Sequence, residues 1–281
     1  MDPEAWAQLE RLLLRDPGQR GAAHLHQPGG LEAAARALLR ARRTLLLTGF
    51  PVLRAGAGET DGPGATRALG DALTALGGEV LYLTDPLCAP LLRALDATPL
   101  EVLTLRPGDR AGARATLARL APTHMVAIER PGRAADGHFR NMQGQEIDHL
   151  TAGLDELFLV GGDVVTVAIG DGGNELGLGA ARDRVVAHVP HGEAIGTVVS
   201  ADHTVAAGVS EWGGLVLVAA LSLLAGRDLL PDASTLAGRL EALVAAGAVD
   251  GVTAAPTLTV DAQPLAETLA LLQELRELLQ G

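Results

Sequence analysis

The sequence lacks, or has few of, the features that identify disulfide-bonded, secreted and membrane proteins. A single cysteine, Cys88, stands among its 281 residues, which excludes an intrachain disulfide and removes any requirement for an oxidising compartment. The N-terminus has no apolar core of the signal-peptide type. The longest apolar segment, residues 213–226, is shorter than the roughly 20 residues that a membrane-spanning helix needs. We expect a cytoplasmic protein with no membrane partner and a buried helix at this segment.

Positive charge is also scarce. Lysine and arginine together number 22 against 34 aspartates and glutamates, so the net charge is −12 and the isoelectric point is near 5.1. Binding to nucleic acid requires a basic face that meets the phosphates, so we expect no nucleic-acid partner. The histidines and the cysteine show none of the spacings that are typical of zinc sites.

What the sequence does contain is an alternation of short β-rich runs with Ala- and Leu-rich helical segments. This pattern predicts a mostly parallel, Rossmann-like α/β sheet with helices on both faces, followed by a helical C-terminal portion. No linker or repeat divides the chain, so we predict a single α/β domain over residues 1–281. The predicted strands are residues 43–50, 79–85, 101–105, 124–130 and 164–171, and the predicted C-terminal helices are 213–226, 232–246 and 264–280.

Three of the predicted strands are followed by glycine-rich loops that also carry carboxylates. The loops contain GAGETDGPGAT, PGRAADGHFRNMQGQEI and DGGNELGLG, and a fourth polar segment, VVSADHTVAAGVSEWGG, precedes the apolar helix. Ligands of parallel sheets bind beyond the carboxyl ends of the strands. The sequence therefore predicts a ligand site built from these loops.

The loops do not match the common nucleotide-binding patterns. A dinucleotide fingerprint needs G-x-G-x-x-G, and here Gly170 and Gly172 are followed by Glu175 in the third place. The first loop lacks the lysine of a phosphate-binding G-x-x-x-x-G-K-[ST] loop. Grouped acids instead suit a divalent metal with oxygen ligands or the ammonium group of a substrate. A more ordinary role, as caps of the following helix, is open for Asp171 and Asn174.

The loop after the fourth predicted strand adds positive charge. Arg130, Arg133 and Arg140 surround Asp136, and an arginine fork binds a carboxylate in a bidentate manner. Acids for an amine and arginines for carboxylates together indicate an amino acid with an acidic side chain. Pairing of each arginine with a neighbouring acid is the alternative.

Taken together, the motifs TGFPV, GETDGPGA, IERPGRAADGHFRNMQGQEI, IGDGGNELGLG and ADHTVAAGVSEWGG resemble those of the D-glutamate cyclase family, over about residues 15–225. The resemblance implies a lyase that converts D-glutamate to 5-oxo-D-proline and water, by attack of the amine on an activated γ-carboxylate. Such a reaction needs a general acid, a general base and groups that hold the charged parts of the substrate in place.

On this resemblance and on loop position, we assign residues to three roles. The catalytic acids are Glu59, Asp61, Asp171 and Glu175; the substrate-binding residues are Thr60, Arg130, Arg133, Asn141, Gly172, Gly173 and Asn174; and the candidate ligands of a divalent metal, Mg²⁺ or Mn²⁺, are Asp61, Asp171 and Glu175.

Two other functions stay open: a metal-dependent nucleotide or phosphoryl-transfer enzyme, and a sensor that binds an acidic amino acid without turnover. The leucine stripe at 264–280 allows core packing or a homo-oligomer.

Overall fold

The computed structural model describes residues 3–280 and contains a six-stranded parallel sheet. Its strands lie in the order β5, β4, β1, β6, β7, β8, and two short antiparallel ribbons are formed by β2 with β3 and by β9 with β10. The strands are β1 Arg43–Thr48, β2 Pro51–Val52, β3 Ala57–Gly58, β4 Glu79–Thr84, β5 Leu100–Val102, β6 His124–Ile128, β7 Val165–Gly170, β8 His203–Ala206, β9 Thr259–Val260 and β10 Gln263–Pro264.

Helices surround the sheet and make up most of the C-terminal portion. Asp148–Leu150 and Gly179–Ala181 are short 3₁₀ helices. The α-helices are α1 Pro3–Leu13, α2 Ala22–Leu25, α3 Gly30–Leu38, α4 Pro63–Ala75, α5 Ala89–Ala94, α6 Arg110–Leu120, α7 Asp155–Val160, α8 Arg182–His188, α9 Gly192–Ile195, α10 Ser210–Ala225, α11 Ala233–Ala245 and α12 Leu265–Gln280.

The predicted fold class is confirmed. All five predicted strands occur in the parallel sheet, although the strand expected at 101–105 is Leu100–Val102. A sixth strand, β8, lies in the polar segment that we treated as a loop. That residues 1–281 form a single domain stays a prediction, and residues 1, 2 and 281 lie outside the described residues.

The apolar segment forms the central helix, α10. Its residues from Ser210 to Ser222 are buried, and the helix packs against α1, α3, α4 and α12. A helix that is apolar on all sides is stable only when protein covers all of them, so the buried helix that we predicted is confirmed. Within residues 3–280, no helix combines the length and the apolar composition that crossing a membrane requires.

The strand order locates the ligand-binding edge. From β1 the chain moves outward to β4 and β5, and it then returns to the other side of β1 to build β6, β7 and β8. This reversal opens a crevice beyond the carboxyl ends of β1 and β6, the usual ligand position in open parallel sheets. The loops that we singled out in the sequence follow these strands and β7.

Candidate active site

Six buried carboxylates meet beyond the carboxyl ends of β1, β6 and β7. They come from the loop after β3, from the end of β6, from the loop after β7 and from the turn between β9 and β10. A cleft of about 590 Å³ opens over them, and Arg20, Glu59, Glu129, Asn174 and Glu175 are among its lining residues. The six, which we call the acid cluster, are Glu59, Asp61, Glu129, Asp171, Glu175 and Asp261, each at most 7% exposed.

Asp61 and Asp171 form the back of the acid cluster, against the N-terminus of α10. The backbone N–H of Ser210 donates to Asp61 Oδ2 and to Asp171 Oδ2, both at 3.2 Å, and the N–H of Glu211 donates to Asp61 Oδ1 at 2.5 Å. These donors would otherwise be unpaired at the start of the helix, whose dipole also favours negative charge. The local helix start therefore fixes the orientation of both carboxylates.

Glu129 follows β6 directly and has a left-handed backbone, with φ of 44°. Such a conformation is costly for a residue with a side chain, and it tends to occur at functional sites. The Ser210 hydroxyl donates to Glu129 Oε2 at 2.5 Å. Gly62 faces this residue with φ of 94°, and a Cβ at Gly62 would lie 2.6 Å from the Cβ of Glu129. The turn before α4 therefore requires glycine so that Glu129 can reach the crevice.

The environment raises the pKa of each acid in the cluster. For Glu59 and Asp61, burial is the largest cause and the charge of Asp261 adds to it. Burial followed by the charge of Asp171 raises the pKa of Glu129. Burial raises the pKa of Asp261 to about 7, although Arg20 opposes it. A raised pKa brings a carboxyl closer to neutral pH, where general acid–base catalysis needs groups that can both take up and release a proton.

Among residues 3–280, Arg20 is the cation that contacts the acid cluster. Its Nη1 contacts Asp171 Oδ1 at 2.5 Å and its Nη2 contacts Asp261 Oδ1 at 2.8 Å. Burial lowers the pKa of Arg20, but the charges of Asp171 and Asp261 outweigh burial and raise it well above its ordinary value. One guanidinium cannot offset six carboxylates, so the cluster retains negative charge, protons or both.

Carboxyl pairs within the cluster lead to the same conclusion. The Glu59 carboxyl lies close to that of Glu129, and the Asp171 carboxyl lies close to that of Asp261. A hydrogen bond within either pair requires a proton. The buried atoms Glu59 Oε1 and Asp261 Oδ2 have no hydrogen-bond partner in the described chain. Protons, an ammonium group or a metal ion would satisfy them.

Three members of the cluster come close enough to share a metal ion. One oxygen each of Asp61, Glu129 and Asp171 lies within 4.8 Å of the others. Glu175, which we also predicted as a metal ligand, is outside this group. Its Oε1 accepts the N–H of Gly172 at 2.8 Å and its Oε2 accepts the N–H of Gly173 at 2.7 Å. A bound phosphate would accept hydrogen bonds from these same two amides. In this structure the Glu175 carboxylate accepts them, so the loop already binds an anion of its own.

The predicted amide and hydroxyl contacts divide into two groups. Asn141 and Asn174 line the cleft. Asn174 donates from Nδ2 to the Arg140 carbonyl at 2.9 Å, and its buried Oδ1 has no partner. Thr60 donates to the Thr259 carbonyl at 2.8 Å and is not among the lining residues found within 3–280.

Arg130 and Arg133 have guanidinium groups that are held by other partners. Arg130 donates to Asp85 Oδ2 at 2.6 Å and to the carbonyls of Gly49 and Ala152. Arg133 bonds both oxygens of Asp155, at 2.5 and 2.9 Å, and also Glu156. Neither arginine belongs to the cleft lining of the described chain. Through these bonds the two arginines link the loops around the cleft to one another. Their assignment to substrate carboxylates stays a prediction.

Our reading of the sequence missed Glu129, Arg20 and Asp261. Glu129 was quoted within the motif IERPG, and its signal was an acid at the end of a buried strand, the same signal that singled out Asp171. Arg20 and Asp261 have no local signal, because they lie near opposite ends of the sequence and meet only in the folded chain.

The geometry defines an α/β protein with an acid-lined, small-molecule cleft at the switch point of its sheet. A family model described as D-glutamate cyclase-like, C-terminal, matches residues 9–276. The chain therefore belongs to the D-glutamate cyclase-like family, as the resemblance of its motifs predicted.

By sequence the chain is similar to a human protein, and by structure it aligns weakly with a bacterial one. The human protein "D-glutamate cyclase, mitochondrial" is 38% identical over 237 residues, which are 77% of this chain and 38% of the human protein. The chain thus spans well under half the length of that relative. The crystal structure of RecJ in complex with Mn²⁺ from Thermus thermophilus aligns with 100% of this chain and 44% of its own, at 15% identity and a TM-score of 0.36. A likeness this weak carries no argument.

Proposed function

We propose that this protein is a D-glutamate cyclase that converts D-glutamate to 5-oxo-D-proline and water. The observation that carries the proposal is the buried acid cluster, which faces a cleft of substrate size in a chain of the D-glutamate cyclase-like family. The name and the 38% identity of the human relative support it. Small-molecule sites are concave and carry a few polar groups at defined positions. This cleft is likewise concave and is lined by a few buried polar groups.

The reaction sets a definite demand for proton transfer. One C–N bond forms, one C–O bond breaks, and two protons leave the substrate nitrogen and depart with the γ-oxygen as water. No proton is consumed overall, so a carboxyl that accepts from nitrogen and donates to oxygen satisfies the balance. Glu59 suits this role because it lines the cleft, has a raised pKa and carries the unpartnered Oε1.

Other members of the cluster bind and orient the substrate. Glu175 lines the cleft with both oxygens held by backbone amides, so it offers a rigidly oriented carboxylate to the substrate ammonium. Asn174 also lines the cleft, and its buried Oδ1 has no partner. An ammonium donor would satisfy this oxygen. These contacts hold the amine in place for attack on the γ-carbon.

A divalent cation fits the back of the cluster. Asp61, Glu129 and Asp171 would hold it, because their oxygens converge within 4.8 Å and carboxylates are the ligands that Mg²⁺ and Mn²⁺ prefer. The excess of buried negative charge over Arg20 supports the same assignment. When bound, the ion would polarise the γ-carboxylate as a Lewis acid.

The test is to incubate metal-free protein with D-glutamate or L-glutamate, with and without Mg²⁺ or Mn²⁺, and to follow 5-oxoproline by chromatography. We expect product from the D form. The Asp171→Asn variant should lose at least about 100-fold in turnover, as for other proton-transfer or charge-stabilising groups. Asp183→Asn, an exposed acid on α8, is the matched control and should keep its activity.

A different outcome would point to the sensor. If no condition gives product while D-glutamate still raises the melting temperature, the cleft binds the amino acid without turning it over. The predictions of a cytoplasmic location and of a homo-oligomer stay predictions, and the mitochondrial address belongs to the name of the human protein.

A further inference from the structure

The substrate of the proposed reaction carries two carboxylates, and the cleft needs a cation for the one that does not react. The sequence contains no lysine, so its 22 basic residues are all arginines. Among residues 3–280, the arginines that line the cleft are Arg20 and Arg54. Arg54 is exposed at the rim and donates to the Val252 carbonyl. Of the two, Arg20 is therefore the arginine whose guanidinium reaches the acid cluster at the base of the cleft.

The segment before α2 builds this position. The Asp16 side chain accepts the backbone N–H groups of Arg20, Gly21 and Ala22, at 2.9, 2.7 and 3.1 Å. These bonds close a tight loop that projects the Arg20 side chain into the crevice. Gln19, directly before it, has φ of 52°, which a side chain adopts only when its surroundings impose it.

Asp171 and Asp261 then fix the guanidinium itself. Each nitrogen Nη1 and Nη2 donates to a different carboxylate, and the side chain keeps 17% of its surface exposed. The guanidinium has five N–H donors, so donors remain for a ligand in the cleft. A fork held by two buried acids loses little conformational freedom when it binds a carboxylate.

We infer that Arg20 binds the α-carboxylate of the substrate and so selects α-amino acids, an inference that rests on the proposed function. The α-carboxylate is unchanged by the reaction, so an arginine that holds it rigidly can keep the same contacts from the substrate to the product. The γ-carboxylate, in contrast, must lose an oxygen. With the α-carboxylate on Arg20 and the ammonium near Glu175, the γ-carboxylate is the group left to face Glu59.

The experiment compares D-glutamate with 4-aminobutyrate, which has the same amine and γ-carboxylate but no α-carboxylate. Its cyclisation gives 2-pyrrolidinone and water. We expect Arg20→Met to lower kcat/KM for D-glutamate by ~30- to 100-fold, as for loss of a charged hydrogen-bonded pair. Activity on 4-aminobutyrate should fall by a clearly smaller factor, because Arg20 makes no direct contact with this substrate and acts on it only through Asp171 and Asp261.

Two further variants separate this role from a structural one. Arg20→Lys keeps the charge beside Asp171 and Asp261, and it should lose most of the discrimination because the fork is gone. Arg15→Met removes a bidentate pair with Glu274, at 2.7 and 2.5 Å, from the same segment outside the cleft. This control should retain the discrimination in full.

Failure of the inference and failure of the proposed function give different results. Arg20→Met with undiminished discrimination between the two substrates would overturn the inference while the cyclase activity stands. If the wild-type protein forms neither lactam, the proposed function fails, and calorimetric titration with the same two compounds tests Arg20 alone. A preference for D-glutamate that disappears in Arg20→Met supports the inference, and an unchanged preference overturns it.

Discussion

At the scale of single residues, Glu211 sets part of the dependence of stability on pH. Burial raises the pKa of its carboxyl to about 7 from 4.5, although the nearby backbone amides of Ala65 and Gly62 favour the ionised form. The folded state thus binds this proton more tightly than the unfolded state. Its contribution to stability is complete below about pH 4.5 and is lost as the pH rises through 7.

We therefore expect Glu211→Gln to be more favourable at pH 8 than at pH 5. A shift of this size corresponds to a gain of about 2.5 kcal/mol in the free energy of unfolding at pH 8 relative to pH 5. Urea unfolding of the metal-free protein at both pH values measures it. An equal effect of the substitution at the two pH values would contradict the raised pKa.

The residues that could be predicted from sequence are those with a local signal. Glu59, Asp61, Asp171 and Glu175 lie in glycine-rich loops after β-rich runs, and the structure brings all four together. The partners of the arginines could not be predicted, because Arg130 meets Asp85 from the end of β4 and Arg133 meets Asp155 from α7. Partner choice depends on packing between distant segments.

At the scale of elements, the contact between α4 and α10 depends on a missing side chain. A Cβ at Gly214 would lie 2.5 Å from the Cβ of Ala65. We expect Gly214→Ala to lower the free energy of unfolding by about 1–3 kcal/mol, since overpacking outweighs the gain in helix propensity. Thermal and chemical unfolding measure the loss.

Gly238 provides the matched control on another helix. It lies inside α11, and an added Cβ would meet nothing within 4 Å. Gly238→Ala should raise the free energy of unfolding by up to about 1 kcal/mol. Similar effects at the two glycines would mean that the helix contact is looser than the distance of Gly214 from Ala65 implies.

Strands whose residues form a distinct β-rich run could be predicted, and β8, which lies among polar residues, could not. β1, β4, β6 and β7 are buried runs of five or six residues bounded by turns. β8 has four residues, HTVA, among polar ones. Its place is fixed by parallel pairing with β7, and such a partner is visible only in the folded chain.

At the scale of the whole molecule, the acid cluster controls the pH range in which the fold is stable. All six acids have raised pKa values, so the folded protein binds more protons than the unfolded protein above the ordinary carboxyl range. The melting temperature of the metal-free protein should therefore fall as the pH rises from about 5 to about 8.

Added Mg²⁺ should reverse part of this fall, because it binds the ionised cluster of the folded state and so stabilises it by mass action. Calorimetric scans in EDTA and in Mg²⁺ at several pH values measure both effects. A melting temperature that rises between pH 5 and 8 in EDTA would contradict the direction of the pKa shifts. Asp61→Asn should weaken the response to Mg²⁺.

The ion pair between Arg20 and Asp261 joins residues that lie 241 positions apart (261 − 20). During vectorial synthesis on a ribosome, the strands and their loops emerge long before Asp261 does. The nascent sheet must then carry its buried acids without the second carboxylate that orients Arg20. Completion of the acid cluster is thus coupled to the arrival of Asp261, and a nascent chain that stops before this residue would contain the loops without the second ion pair of Arg20.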